Sequence, residues 1–164
     1  MKKITLPKAS QLTSPNLVTL VCTLKPNGST NLATVSWCTY LSYRPGMVAF
    51  AMAKTSYSGE LVRLNKQVIV TVPGVALADA VLGCGSTSGR DTDKVSAFNL
   101  KLTALEGSAI KIPEHSRVAM VCTLKEYHEV GDHILYICNV AQVYGDESEA
   151  ALFAWNGYAQ VHGL

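Results

Sequence analysis

Charge and aromatic rings are both scarce in this chain of 164 residues, with charged side chains at 16% and aromatic ones at 7%. The formal charge is only +2, and no basic run or basic patch interleaved with aromatics offers a footing for nucleic acid. No uninterrupted apolar stretch approaches the length of a bilayer span. The opening Met1-Lys-Lys-Ile-Thr-Leu-Pro-Lys8 has positive charge but no apolar region behind it, so no secretory signal is expected. The five cysteines (Cys22, Cys38, Cys84, Cys122 and Cys138) are odd in number and lack a Cys-x-x-Cys pair. Neither a disulfide framework nor a zinc site is expected from that spacing, and none of the four histidines adds a metal pattern. Cys22, Cys122 and Cys138 fall inside apolar segments, where a reduced thiol acts as a small hydrophobe, which points to the reducing cytoplasm. A Walker loop and a dinucleotide-type glycine fingerprint are both missing.

What the chain does have is apolar residues, at 48%, arranged mostly in short β-like runs. Leu17 to Leu24, the turn Lys25-Pro-Asn-Gly-Ser29 and a second arm from Thr30 towards Thr39 read as a hairpin. Met47 to Met52 is almost wholly apolar, as in a strand covered on both faces, and Val68 to Val72 is a strand stopped by Pro73-Gly74. Ser56 or Ser58 can cap a helix through about Asn65, with Glu60 near its positive end and Leu61 and Leu64 facing inward. Ala76 to Leu82 reads as a short helix ending at Gly83, and Val95 to Leu100 as one or two helical turns. Ser116 to Glu129 and His133 to Tyr144 are long strands joined at Val130-Gly-Asp132. With no linker and no low-complexity segment, a single domain over residues 1–164 is expected. Its class is mainly β, an antiparallel barrel with short helices.

The most distinctive segment is Cys84-Gly-Ser-Thr-Ser-Gly-Arg-Asp-Thr-Asp-Lys94. It is too polar to bury itself. Flexible backbone N–H groups, the three hydroxyls between its glycines and a Lys/Arg pair suit an anionic ligand, although a polar surface loop would have the same composition. Arg90 and Asp93 could equally form an internal ion pair, and Cys84, without a partner cysteine, is better read as structural than as redox-active.

This segment, together with Asn31-Leu-Ala-Thr-Val-Ser-Trp37, Ala53-Lys-Thr-Ser-Tyr-Ser58 and Gly131-Asp132-His133, closely resembles the flavin reductase-like proteins with an FMN-binding split β-barrel, flavoredoxin among them. The resemblance runs from about Asn16 to Tyr144. It implies a six-stranded Greek-key split barrel that forms a homodimer with one FMN near each subunit interface. It also implies that Lys54, Thr55, Ser56 and Ser58 hold the FMN phosphate. Lys94 would be a second cation there, with Ser88, Gly89 and Arg90 lining the same side. Tyr57 stands where the family often has Arg. Backbone around Thr34, Val35, Ser36 and Trp37 would read the pyrimidine edge, with the Asn31 and Ser36 side chains assisting and Trp37 against the isoalloxazine.

His133 would sit at the mouth of the pocket and position a nicotinamide or steady negative charge on reduced flavin. Cys138 occupies a position that is usually Gly in the family, where a side chain could narrow the site. The implied activity is electron transfer from NADH or NADPH through bound FMN to free flavin or another acceptor. The alternative is a flavoredoxin-like electron carrier that exchanges electrons with protein partners without nicotinamide turnover.

Overall fold

The computed structural model describes residues 1–157 and 159–163. Its elements in chain order begin with α1 (Leu6–Leu12), β1 (Asn16–Leu17), β2 (Thr19–Leu24), β3 (Thr30–Val35), β4 (Cys38–Tyr43) and β5 (Gly46–Ala53). There follow α2 (Tyr57–Asn65), β6 (Gln67–Pro73), a 3-10 turn at Val75–Leu77, α3 (Ala78–Ser86) and α4 (Lys94–Ala97). The rest is β7 (Leu102–Ala104), β8 (Lys111–Pro113), β9 (Ser116–Val130), β10 (His133–Gly145), β11 (Leu152–Trp155) and β12 (Gln160–Gly163).

Seven strands form one antiparallel sheet in the order β3-β2-β6-β9-β10-β5-β4, one more than the six expected. The arm expected to run unbroken from Thr30 towards Thr39 is divided at Ser36 and Trp37, and its two pieces lie on opposite edges of the sheet. Laid flat, those edges would be roughly 29 Å apart at the usual strand spacing. The connection of Ser36 and Trp37 can reach only about 11 Å. The sheet must therefore curl until its edges meet at this seam, and Trp37 O, accepting from Ala51 N at 2.8 Å, extends the β4–β5 pairing into it. This is a split barrel, drawn together at Ser36–Trp37 and open elsewhere along β3 and β4.

The period of two along the central strands explains why they are apolar on both faces. Val21, Val68, Val70, Met120 and Cys122 point into the barrel with Phe50, Ile134, Tyr136 and Cys138. Leu20, Cys22, Ile69 and Ala119 point outward and pack under α3, the β7–β8 hairpin and the C-terminal strands. That outer layer includes a small sheet, β1-β11-β12, which the sequence pattern did not suggest.

Two helix expectations need correction. Helix α2 starts at the Ser56 cap, whose Oγ accepts from Gly59 N at 3.2 Å, and ends at a left-handed Lys66. Its inward face is Leu61, Val62 and Asn65, so Leu64 lies 67% exposed rather than buried. Helix α3 continues past Gly83 to Ser86. Gly83 is there because a Cβ would overlap the Phe98 ring, not because a turn needs its conformational freedom. No helix among the described residues is long and apolar enough to cross a membrane.

Candidate functional site

A cleft of about 610 Å³, within the usual range for small-molecule sites, lies along β3 beside the seam. Its walls are the ends of β3 and β5, the start of α2, the C-terminal half of α3 and the loop that follows. Thr34, Val35 and Trp37 line it from β3 and the seam, and Thr55, Ser56 and Ser58 from the start of α2. Ser88, Gly89, Lys94 and His133 complete the set of expected residues that reach it. Ser36, Asn31, Lys54 and Arg90 do not line it.

Asn31 stands behind the wall. It is buried, and its Nδ2 donates to Ser58 Oγ at 2.8 Å and Thr23 Oγ1 at 3.0 Å, which fixes the Ser58 hydroxyl. A Cβ on Gly89 would overlap Asn31 Oδ1, so only glycine lets the loop come this close. That Oδ1 is a buried acceptor without a donor among the described residues. Thr34 Oγ1 donates to Val81 O and ties β3 to α3.

Lys94 is 4% exposed, and its Nζ donates to Leu32 O at 2.8 Å and Cys84 O at 2.7 Å. The second of these carbonyls is in the last turn of α3, where the helix leaves its C=O groups without intrahelical partners and a cation is favoured. No carboxylate pairs with Lys94 among the described residues. Burial pulls the ammonium's pKa below its ordinary value. An ammonium without a counter-ion is costly to bury, so a cleft that holds one is suited to an anion. Cys84, on the same wall, is buried, and burial pushes its pKa up to about 11, which fits a structural thiol.

The opposite wall is open. Trp37 is 53% exposed, and its ring meets the His133 ring at a centroid distance of 4.5 Å. His133 Nδ1 is 2.7 Å from Asp132 Oδ1, and that bond to the imidazole holds the Asp132 carboxyl below its usual range. The turn is itself anchored, since Lys54 N donates to Asp132 O at 3.1 Å. Cys138 is buried in the barrel interior and does not line the cleft, so it does not narrow it.

The exposed cations are engaged elsewhere. Lys54 Nζ is 2.7 Å from Glu129 Oε2, and Arg90 Nη2 is 2.6 Å from Glu60 Oε2. Arg90 also lies over the Tyr57 ring, 4.7 Å from its centroid. The alternative of an internal Arg90–Asp93 ion pair is not the one formed. Asp93 instead caps α4, accepting from Val95 N at 3.2 Å and Ser96 Oγ at 2.8 Å. Sequence reasoning missed Glu129 and Glu60 as partners, and also the α3 residues Val81, Leu82 and Gly85 and the C-terminal Val161 in the lining. Only the helical register of α3 could have hinted at any of these. No group of three or more His, Cys, Asp or Glu side chains that could hold a metal occurs among the described residues.

The family described as the flavin reductase like domain matches residues 12–162. A flavin reductase from Pseudomonas putida is 29% identical over 145 residues, covering 87% of this chain and 81% of that protein. The chain spans 66% of the length of a 28% identical, uncharacterised Archaeoglobus fulgidus relative and 37% of Escherichia coli YddH. Among solved structures, an FMN-binding protein from Thermus thermophilus superposes with a TM-score of 0.85 at 21% identity, covering 99% of this chain and 93% of that one. The flavoredoxin of Desulfovibrio vulgaris superposes at 0.84 and 18% identity, covering 100% and 93%.

Proposed function

This chain belongs to the flavin reductase-like family, and from that premise we propose that it is an FMN-dependent oxidoreductase. In this reading it draws electrons from NADH or NADPH and passes them to free flavin or another acceptor. The observation that carries the reading is that a single cleft combines an anion-suited end with an open aromatic end. The hydroxyls of Ser56 and Ser58, the start of α2 and a buried, carboxylate-free Lys94 lie on one side, and an exposed Trp37 beside His133 on the other. The residues present fit FMN: Ser56, Ser58 and Ser88 line the same cleft as Lys94, whose ammonium has three donors and only two carbonyl partners, with no carboxylate beside it among the described residues.

Bound FMN would supply the two-electron chemistry. The protein's share is to bind and align. Ser56, Ser58, Ser88 and Lys94 would hold the phosphate and ribityl end. The free edge of β3 at Thr34 and Val35 would meet the polar rim of the ring system, and Trp37 would cover its face. Asp132 orients the His133 imidazole through Nδ1, which leaves Nε2 to position a nicotinamide. Exposed Tyr40, Leu41 and Tyr43 on the edge strand β4 support the homodimer, since an apolar strand edge of this kind is usually covered.

The test is a titration of the purified protein with FMN and riboflavin, followed by anaerobic NADH and NADPH oxidation. FMN should bind at least about tenfold more tightly, as one charge-assisted phosphate contact warrants. Flavin binding without any nicotinamide oxidation would favour an electron carrier over an enzyme.

A further inference from the structure

Both exposed cations flanking the start of α2 already have anions. Lys54, two residues before the Ser56 cap, is held by Glu129, and Arg90, next to Gly89, is held by Glu60 in the first turn of α2. Their chain neighbours Thr55, Ser56 and Gly89 line the cleft, while Lys54 and Arg90 do not. The charges that face Lys54 are Glu129 and, through its field, Asp132; those that face Arg90 are Glu60, Asp91 and the Tyr57 ring. A carboxylate offers a cation two oxygens and one charge. A phosphate monoester offers three terminal oxygens and close to two charges, so the two compete for the same donors.

We infer that Glu129 and Glu60 are built-in competitors for a ligand's phosphate, holding Lys54 and Arg90 outside the cleft until a phosphorylated flavin draws them in. The inference rests on the flavin-phosphate reading above and extends it to how tightly the flavin is held. The Lys54 hydrogen bond at 2.7 Å holds the Glu129 carboxyl below its usual range, so this competitor is ionised at neutral pH. Both carboxylates are solvent-exposed, so exchanging one for the phosphate requires no repacking. The consequence is a protein whose FMN leaves more readily than its count of cations implies, which suits flavin as an exchanging ligand rather than a permanent one. Tyr57 adds an asymmetry, because its ring retains Arg90 even when Glu60 is lost.

Calorimetric titration of FMN and riboflavin into wild type, Glu129→Gln, Glu60→Gln and the double variant tests this. Glu129→Gln should tighten FMN binding by about two- to fivefold, the range an exposed ion pair supports, and leave riboflavin within about twofold. Glu60→Gln should act in the same direction but less, and the two gains should add. Lys54→Met serves as the converse and should weaken FMN binding without affecting riboflavin. Unchanged or weaker FMN binding in Glu129→Gln, or unchanged FMN binding in Lys54→Met, overturns the inference. Wild type that does not distinguish FMN from riboflavin rejects the phosphate reading itself. Discrimination in wild type without a gain in Glu129→Gln rejects only the competition.

Discussion

The cleft wall formed by β3 and α3 is tied from behind at every level, whereas the wall carrying Trp37 and His133 ends in solvent. On the tied side, Lys94 joins Leu32 O to Cys84 O, Thr34 reaches Val81 O, and Asn31 holds Ser58. All of these bonds are buried or partly buried, and one of them, Lys94 to Leu32 O, occupies a backbone acceptor of the edge strand β3. On the open side, the contact of Trp37 with His133 and a single bond from His133 to Asp132 position the two rings. The difference suggests a division of labour: a stiff wall defines a binding geometry, and a loosely held aromatic wall can admit a planar partner and release it. Substitutions on the tied wall should therefore lower stability. On the open wall they should alter binding or turnover and leave stability unchanged.

The largest effect is expected from Lys94→Ala, which empties a buried volume and strips two carbonyls of their donor. Chemical denaturation should show a loss of about 2–4 kcal/mol, with FMN affinity falling alongside. Stability within error of wild type would mean the tied wall does not depend on this lysine. His133→Ala comes next and should behave oppositely. Its denaturation midpoint should barely move, while NAD(P)H oxidation efficiency drops by about 10- to 100-fold, as for loss of one positioning contact. An unchanged rate of flavin reduction in stopped flow would remove His133 from the site and leave the open wall without a catalytic role. Trp37→Ala should show the smallest change, weakening FMN binding by about three- to tenfold, the worth of one aromatic contact. Because the Trp37 ring is already half in solvent, a marked loss of stability in that variant would show the open wall to be structural after all.

Much of this was readable along the chain because it depends on near neighbours. The Ser56 cap and the apolar runs that become β2 and β6 are set within a few residues, and both are present. So is the turn at Gly131–Asp132, where Gly131 has φ of +58° and places His133 directly after it. Leu64 was misassigned because two apolar residues three apart can share a helix face, and only the docking of α2 decided that Leu61, Val62 and Asn65 would face inward. Gly83 was misread for a related reason. A glycine marks a helix end or a close approach equally well, and the approach of Phe98 is a tertiary fact.

The sequence by itself determined the β-rich class, the capped helix and a polar glycine-flanked loop, because periodicity, capping and turn chemistry act over a few bonds. Only the tertiary structure decided which charges meet. Glu129 lies 75 positions from Lys54 and Glu60 lies 30 from Arg90, and no local rule links residues so far apart. The same holds for the burial of Lys94 without a counter-ion and for the seam at Ser36–Trp37, which exists because two residues must bridge the opposite edges of a seven-stranded sheet. A charge's partner and a sheet's closure are settled by the path of the whole chain, since Coulomb forces and strand pairing act through space and not along the sequence.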